Sequence, residues 1–167
     1  MKSPLIIKVI AILQAVFVVC YFSYMLYIAV AWGFNPRIVQ LLVTDSIYVF
    51  LLVSSVGIWF YKPWGWWVTI ILYGKLLLSK VIGSGSEWFL IFTGTIAEPW
   101  RWEMFAADFF IVILFLLLLG YFFRRTVRSE FCIKETTRRV VVIASMGVIL
   151  LYALYFVIAL WLIIQMG

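Results

Sequence analysis

Residues 72–85 read LYGKLLLSKVIGSG, in which two lysines interrupt an otherwise apolar run. A lysine at the centre of a bilayer costs about 2.5–3.5 kcal/mol on insertion scales. The segment therefore either lies on the membrane surface or crosses the membrane with Lys75 and Lys80 in a tolerable environment. The first alternative gives four membrane-spanning helices and the second gives five, so the threading of the whole chain depends on this stretch.

The composition indicates that the solvent of this chain is lipid. Of its 167 residues, 67% are hydrophobic and 12% are charged, whereas soluble domains are about 45–50% apolar and about 25% charged. A single transmembrane helical domain is expected over 1–167.

Histidine is absent, which argues against His-ligated zinc, His-ligated haem and a His general base. Nucleotide-binding and hydrolase motifs are also missing, so we predict no enzyme activity, no metal and no cofactor.

Five stretches approach the length of about 20 apolar residues that a helical span needs. The predicted spans are about 5–32, 38–61, 64–82, 104–123 and 140–165. The first stretch resembles a signal peptide, but its apolar core of about 20 residues exceeds the usual 7–15 or so. We expect a retained helix there. The alternative to five spans is four, with the third stretch lying on the surface.

The basic residues predict the orientation. The loop 124–139 reads RRTVRSEFCIKETTRR, and positive charge favours the cytoplasmic side. Alternation from this loop also places Lys2, Lys8 and Lys62 inside. The fold predicted is therefore an all-α integral membrane protein with its N-terminus in and its C-terminus out, and a bacterial or archaeal cell membrane is expected.

The same loop predicts a contact with anionic lipid or with an acidic partner. The arginines expected to make that contact are Arg124, Arg125, Arg128, Arg138 and Arg139. Val127 and Phe131 are four residues apart between these arginines, which favours a short amphipathic helix. The net charge of +6 is concentrated in this loop and is explained by topology and lipid, so no nucleic-acid partner is expected.

Ionisable residues lie inside three of the predicted spans. Asp45 and Lys75 each lie about 10 Å from the outer ends of their helices at 1.5 Å per residue, and Asp108 lies about 6 Å from its end. Such residues indicate a functional site with a nearby partner, and we predict that Lys75 pairs with Asp45, with Asp108 as a second acid. Both a ligand site and an ion pair that orients helices fit this group. Lys80 is expected to extend its side chain to the headgroups.

The predicted external connection, 83–103, is rich in aromatic residues. Trp88, Trp100 and Trp102 predict a segment at the membrane interface, either as a passive anchor or as a lid over a pocket. The run Gly83-Ser84-Gly85-Ser86 is expected to form a flexible entry to it.

Two functions fit these features. The first is a non-catalytic accessory or assembly subunit that packs against larger membrane proteins, because the chain has short loops and no soluble domain. The second is an oligomeric channel or small transporter whose polar site is lined by Asp45, Lys75 and Asp108. Partners are expected to be lipid and other membrane subunits, or copies of the chain itself.

Overall fold

A computed structural model of the chain describes residues 3–33, 38, 41–43, 45–95 and 102–166. Over these residues the chain is helical and contains no strand. The helices are α1 (Ser3–Trp32), α2 (Ile47–Trp59), α3 (Pro63–Phe92), α4 (Trp102–Phe122), α5 (Arg125–Glu130) and α6 (Thr137–Met166). Stretches long and apolar enough to cross a membrane are Leu5–Trp32, Leu41–Trp59, Pro63–Phe92, Phe105–Phe122 and Thr137–Trp161. The prediction of a helical chain with five such stretches is confirmed, and their length and composition indicate a multi-pass membrane protein.

The third spanning helix, α3, lies at the centre of the bundle. It packs against α2, α4 and α6, while α1 packs against α2. In the most apolar 18-residue window of α3, 39% of the residues are buried, compared with 6% in α4 and in α6. Because α3 packs against three other helices, it forms part of the core of the bundle.

The end of α3 differs from the sequence-based prediction. The helix continues to Phe92, well past the predicted end at 82, so the run from Gly83 to Ser86 is helical and is not a flexible entry. Glycine disfavours a helix by about 1 kcal/mol relative to alanine. Here Ser84 donates a hydrogen bond to Asp108 of α4, and this tertiary contact favours the helical conformation of the run.

The second span is interrupted near its start. Residues 41–43 are helical, Asp45 and Ser46 form a turn, and α2 begins at Ile47. The Tyr48 amide donates to the Asp45 carbonyl at 2.9 Å, so the backbone is wound more tightly here than in an α-helix. The span predicted over 38–61 is present as the stretch Leu41–Trp59, with a turn at Asp45 and Ser46 that the sequence did not predict.

Glycines allow the closest helix contacts. A Cβ on Gly57 of α2 would lie 2.5 Å from the Cα of Gly65 of α3, so the two backbones touch. On the other side of α3, a Cβ on Gly74 would lie 2.6 Å from a methyl of Val148 of α6. Small residues at such positions let membrane helices approach closely and gain van der Waals contact.

Three segments meet at one end of the bundle, here called the basic end. Lys8 of α1 lies 5.3 Å from the ring centroid of Trp59, which precedes the α2–α3 turn. Tyr61 in this turn has a φ of 53° and its ring lies 5.8 Å from that of Phe131, which follows α5. The start of α1, the α2–α3 turn and the α4–α6 connection therefore lie together at this end.

Candidate functional site

An acid in the second turn of α4, Asp108, pairs with a lysine of α3. Lys80 and Asp108 form a salt bridge, and Ser84 also donates a hydrogen bond to the Asp108 carboxylate. Ser84 lies four residues after Lys80, so the two share a face of α3. This pairing differs from the sequence-based prediction in two ways. Lys80 is not simply extended to the headgroups, and Asp108 is not the second acid of Lys75.

Lys75 is almost fully buried but is held differently from the prediction. Its side chain is 7% exposed, and its Nζ lies 4.8 Å from the ring centroid of Tyr155 on α6. The described side chains of Lys75 and Asp45 do not form a salt bridge with each other. A cation over an aromatic face is stabilised by about 2 kcal/mol when it is desolvated, so the Tyr155 ring is a contact of Lys75 that the prediction did not include.

Asp45 is held by hydroxyl groups and aromatic rings. Tyr21 of α1 donates a hydrogen bond to the Asp45 carboxylate, and the Tyr21 ring lies 5.0 Å from the ring of Tyr48. The hydroxyl of Ser46, the next residue along the chain, lies 3.1 Å from that of Tyr155. The Tyr155 side chain thus contacts both Lys75 and the neighbour of Asp45.

These contacts form one connected group, here called the tyrosine network: Tyr21, Asp45, Ser46, Lys75 and Tyr155. The network joins α1, α3 and α6 to the turn that precedes α2. It contains Asp45 and Lys75, two of the three predicted intramembrane residues. Hydrogen bonds and ring contacts connect these two residues through Ser46 and Tyr155. Sequence reasoning missed both tyrosines. Their hydroxyls inside predicted spans were a signal, because a hydroxyl in lipid needs a hydrogen-bond partner.

A second polar group lies in the bundle core and was not predicted. The Gln14 amide donates to the Leu51 carbonyl at 2.6 Å and to the Ser54 hydroxyl at 2.7 Å. The Tyr73 hydroxyl donates to the other end of the same amide at 2.6 Å. Gln14, Ser54 and Tyr73 are all buried. Because every polar end of Gln14 has a partner, this group joins α1, α2 and α3 and leaves no free donor for a ligand.

Of the tryptophans predicted to form an aromatic lid, Trp88 takes part in helix packing. Trp88 lies on α3 and stacks on Phe105 of α4, with ring centroids 4.3 Å apart. Trp102 begins α4, is 70% exposed and contacts Phe105 edge to face at 6.2 Å. Trp100 lies outside the described residues. Trp88 therefore stabilises the same α3–α4 interface as the Lys80–Asp108 pair.

The predicted amphipathic helix in the basic loop is present as α5, with Val127 and Phe131 buried. The five arginines predicted to contact lipid fall into two groups. Those exposed are Arg124, Arg125, Arg138 and Arg139. Arg128 is only 4% exposed, so it is not available to a flat membrane surface. Its Nη2 donates to the Thr137 hydroxyl at 2.9 Å, and its Nη1 to the Glu135 carbonyl at 3.4 Å.

Among the described residues, His, Cys, Asp and Glu form no group of three or more that could hold a metal ion. The tyrosine network offers a carboxylate, a lysine and hydroxyls that are already engaged with one another, which suits an orienting contact between helices. Comparison of the chain with protein-family models, with curated proteins and with solved structures gives no match.

Proposed function

We propose that this protein is a non-catalytic accessory or assembly subunit of a larger complex in the cell membrane, with its N-terminus in and its C-terminus out. The observation that carries the proposal is the way its intramembrane charges are used. Asp108 is paired with Lys80, Asp45 accepts from Tyr21, and Lys75 lies on Tyr155. Groups engaged in this way orient helices and give the fold a defined packing.

The outer helices support the same proposal. α4 and α6 both pack on α3, and few residues of their most apolar windows are buried within the chain. These exposed sides are apolar, and their large side chains include Phe110, Leu117 and Leu150. A subunit that packs against larger membrane proteins needs faces of this kind.

The test is purification of the tagged chain from its native membrane in a mild detergent. A constant stoichiometry with larger subunits is expected. Leu117→Trp introduces a large residue on the exposed side of α4 and should reduce the recovery of the larger subunits. Leu150→Trp makes the same change on α6, and comparison of the two variants shows whether the larger subunits contact one helix or both. Recovery of the chain alone, unaffected by either change, contradicts the proposal.

The alternative function is an oligomeric channel or small transporter with a polar site at Asp45, Lys75 and Asp108. One observation favours it: the turn at Asp45–Ser46 interrupts a span beside ionisable groups, as the broken helices of transporters do. A symmetric homo-oligomer that conducts ions or takes up solute in proteoliposomes, with activity lost in Lys75→Met, supports this alternative and contradicts the accessory role.

A further inference from the structure

The α4–α6 connection encloses a polar recess that the proposed function does not use. This recess, here called the basic pocket, has a volume of about 350 Å³. It lies between α5 and the start of α6, and its lining residues are Arg125, Arg128, Ile133, Lys134, Glu135, Thr136 and Thr137. Three cationic side chains and two hydroxyls therefore surround it, together with one carboxylate.

Arg128 is the central feature of the basic pocket. The side chain is 4% exposed, yet its Nε–H has no hydrogen-bond partner among the described residues. Buried polar groups are almost always hydrogen-bonded, so the Arg128 guanidinium keeps donor capacity that the described residues do not use. The contact between Nη2 and the Thr137 hydroxyl holds the guanidinium in place against the first turn of α6.

The surrounding chemistry favours a phosphate group. A guanidinium presents donors in a planar fork that matches phosphate oxygens. Thr136 and Thr137 add hydroxyl donors, and the pocket lies at the start of α6, where the helix dipole favours negative charge. The Glu135 carboxylate opposes an anion, but Arg125, Arg128 and Lys134 outnumber it.

An apolar groove begins next to the basic pocket. It lies between α3, α4 and α6, has a volume of about 550 Å³ and is lined near this end by Phe123 and Val141. Thr137 of the pocket and Val141 of the groove are four residues apart, so they share one face of α6 about 6 Å apart along its axis. The other lining residues of the groove are apolar or small, and include Leu78, Leu119, Ala144 and Ser145.

We infer that the basic pocket and this groove together bind one anionic phospholipid, with the phosphate at Arg128 and an acyl chain along α6. A soluble phosphate compound would use the pocket alone, whereas a lipid uses both the charge and the apolar groove that adjoins it. Basic pockets between membrane helices bind lipid headgroups in this manner. The inference does not rest on the accessory role, because it concerns a different part of the fold.

The first test is lipid binding to the full chain in detergent, followed by native mass spectrometry. The probes are phosphatidylglycerol and phosphatidylcholine with identical acyl chains. We expect Arg125→Gln/Lys134→Gln to weaken phosphatidylglycerol binding about tenfold, which corresponds to about 1.4 kcal/mol. The charge-matched control is Arg138→Gln/Arg139→Gln, which removes two exposed charges outside the pocket. This control should change the affinity for phosphatidylglycerol by less than about twofold. Equal losses in the two double variants would mean a diffuse basic surface and would overturn the inference.

The second test addresses the groove and the source of the phosphate. Ser145→Phe fills the groove without changing any charge, and the matched control is Met146→Phe on the adjacent, exposed position. We expect Ser145→Phe alone to weaken phosphatidylglycerol binding, and we expect inorganic phosphate not to displace the lipid. If phosphate displaces the lipid and Ser145→Phe has no effect, the pocket binds soluble phosphate and the lipid assignment is wrong. If the variant Arg125→Gln/Lys134→Gln fails to fold, the single variant Arg125→Gln, at an exposed position, replaces it. Its lipid binding is then compared with that of Arg138→Gln.

Discussion

The ammonium group of Lys75 lies over the ring of Tyr155, 4.8 Å from its centroid, and this contact connects the central helix α3 to the last helix α6. The same tyrosine exchanges a hydrogen bond with Ser46 at the start of α2. A buried lysine in a membrane helix thus contacts an aromatic face, and among the described residues it forms no salt bridge with a carboxylate. The contact explains how the most deeply placed cation of the spans is tolerated.

Two substitutions of Tyr155 should separate its ring from its hydroxyl. Tyr155→Phe keeps the ring over Lys75 and loses the Ser46 contact, so it should lower the free energy of unfolding by about 0.6 kcal/mol, the average for such bonds in membranes. Tyr155→Leu also removes the aromatic face and should cost about 2 kcal/mol more. Unfolding in mixed micelles measures both, and a cycle with Lys75→Met should be non-additive. Additive effects would show that Lys75 and Tyr155 do not interact.

The Lys80–Asp108 pair predicts that charge reversal is rescued. The two side chains are 33% and 16% exposed, so solvent screens the pair, and we expect a contribution of about 0.5–1 kcal/mol. Asp108→Lys alone places two cations together and should destabilise the α3–α4 interface. Adding Lys80→Asp should restore most of the unfolding free energy. A double variant no more stable than Asp108→Lys contradicts the pairing.

The contact between Gly57 and Gly65 predicts a strong effect of one added methyl. Gly65→Ala places a carbon against the backbone of α2 and should lower the unfolding free energy by about 1–3 kcal/mol through overpacking. Gly83→Ala is the matched control on the same helix, because a Cβ there meets nothing within 4 Å. This control should be neutral or should stabilise the chain by up to about 1 kcal/mol. A comparison of melting temperatures in detergent tests the pair, and similar changes in both variants would exclude a close backbone contact.

The proposed orientation predicts where Cys132 is accessible. This exposed cysteine lies in the connection between α5 and α6, at the basic end. In a Cys20→Ser background, a membrane-impermeant maleimide should label Cys132 only after the cells are permeabilised, because positive charge favours the cytoplasmic side. A cysteine introduced at the exposed residue Phe92, at the other end of α3, should react in intact cells. The reverse pattern would show that the protein is inserted with its basic end outside.

The apolar spans and the short helix α5 could be predicted from the sequence, because each depends on the composition of one short stretch. Long apolar runs predict spans, and the turn KPWGWW, with Pro63 at the first position of α3, predicts a helix start. The periodicity of Val127 and Phe131 predicts α5. The run from Gly83 to Ser86 was misjudged, because local propensity favours a flexible segment and the contact of Ser84 with α4 overrides it.

The apolar spans, their number and the concentration of positive charge at one end follow from the sequence by itself, since transfer from water to lipid acts on each residue nearly independently of the fold. The partners of the intramembrane charges were decided only by the tertiary structure. Which residue meets Lys75 depends on how α6 is rotated about its axis and on its packing against α3, where Gly74 and Gly147 make room for it. Residues 80 positions apart in the chain become neighbours there, and no local pattern records that relationship.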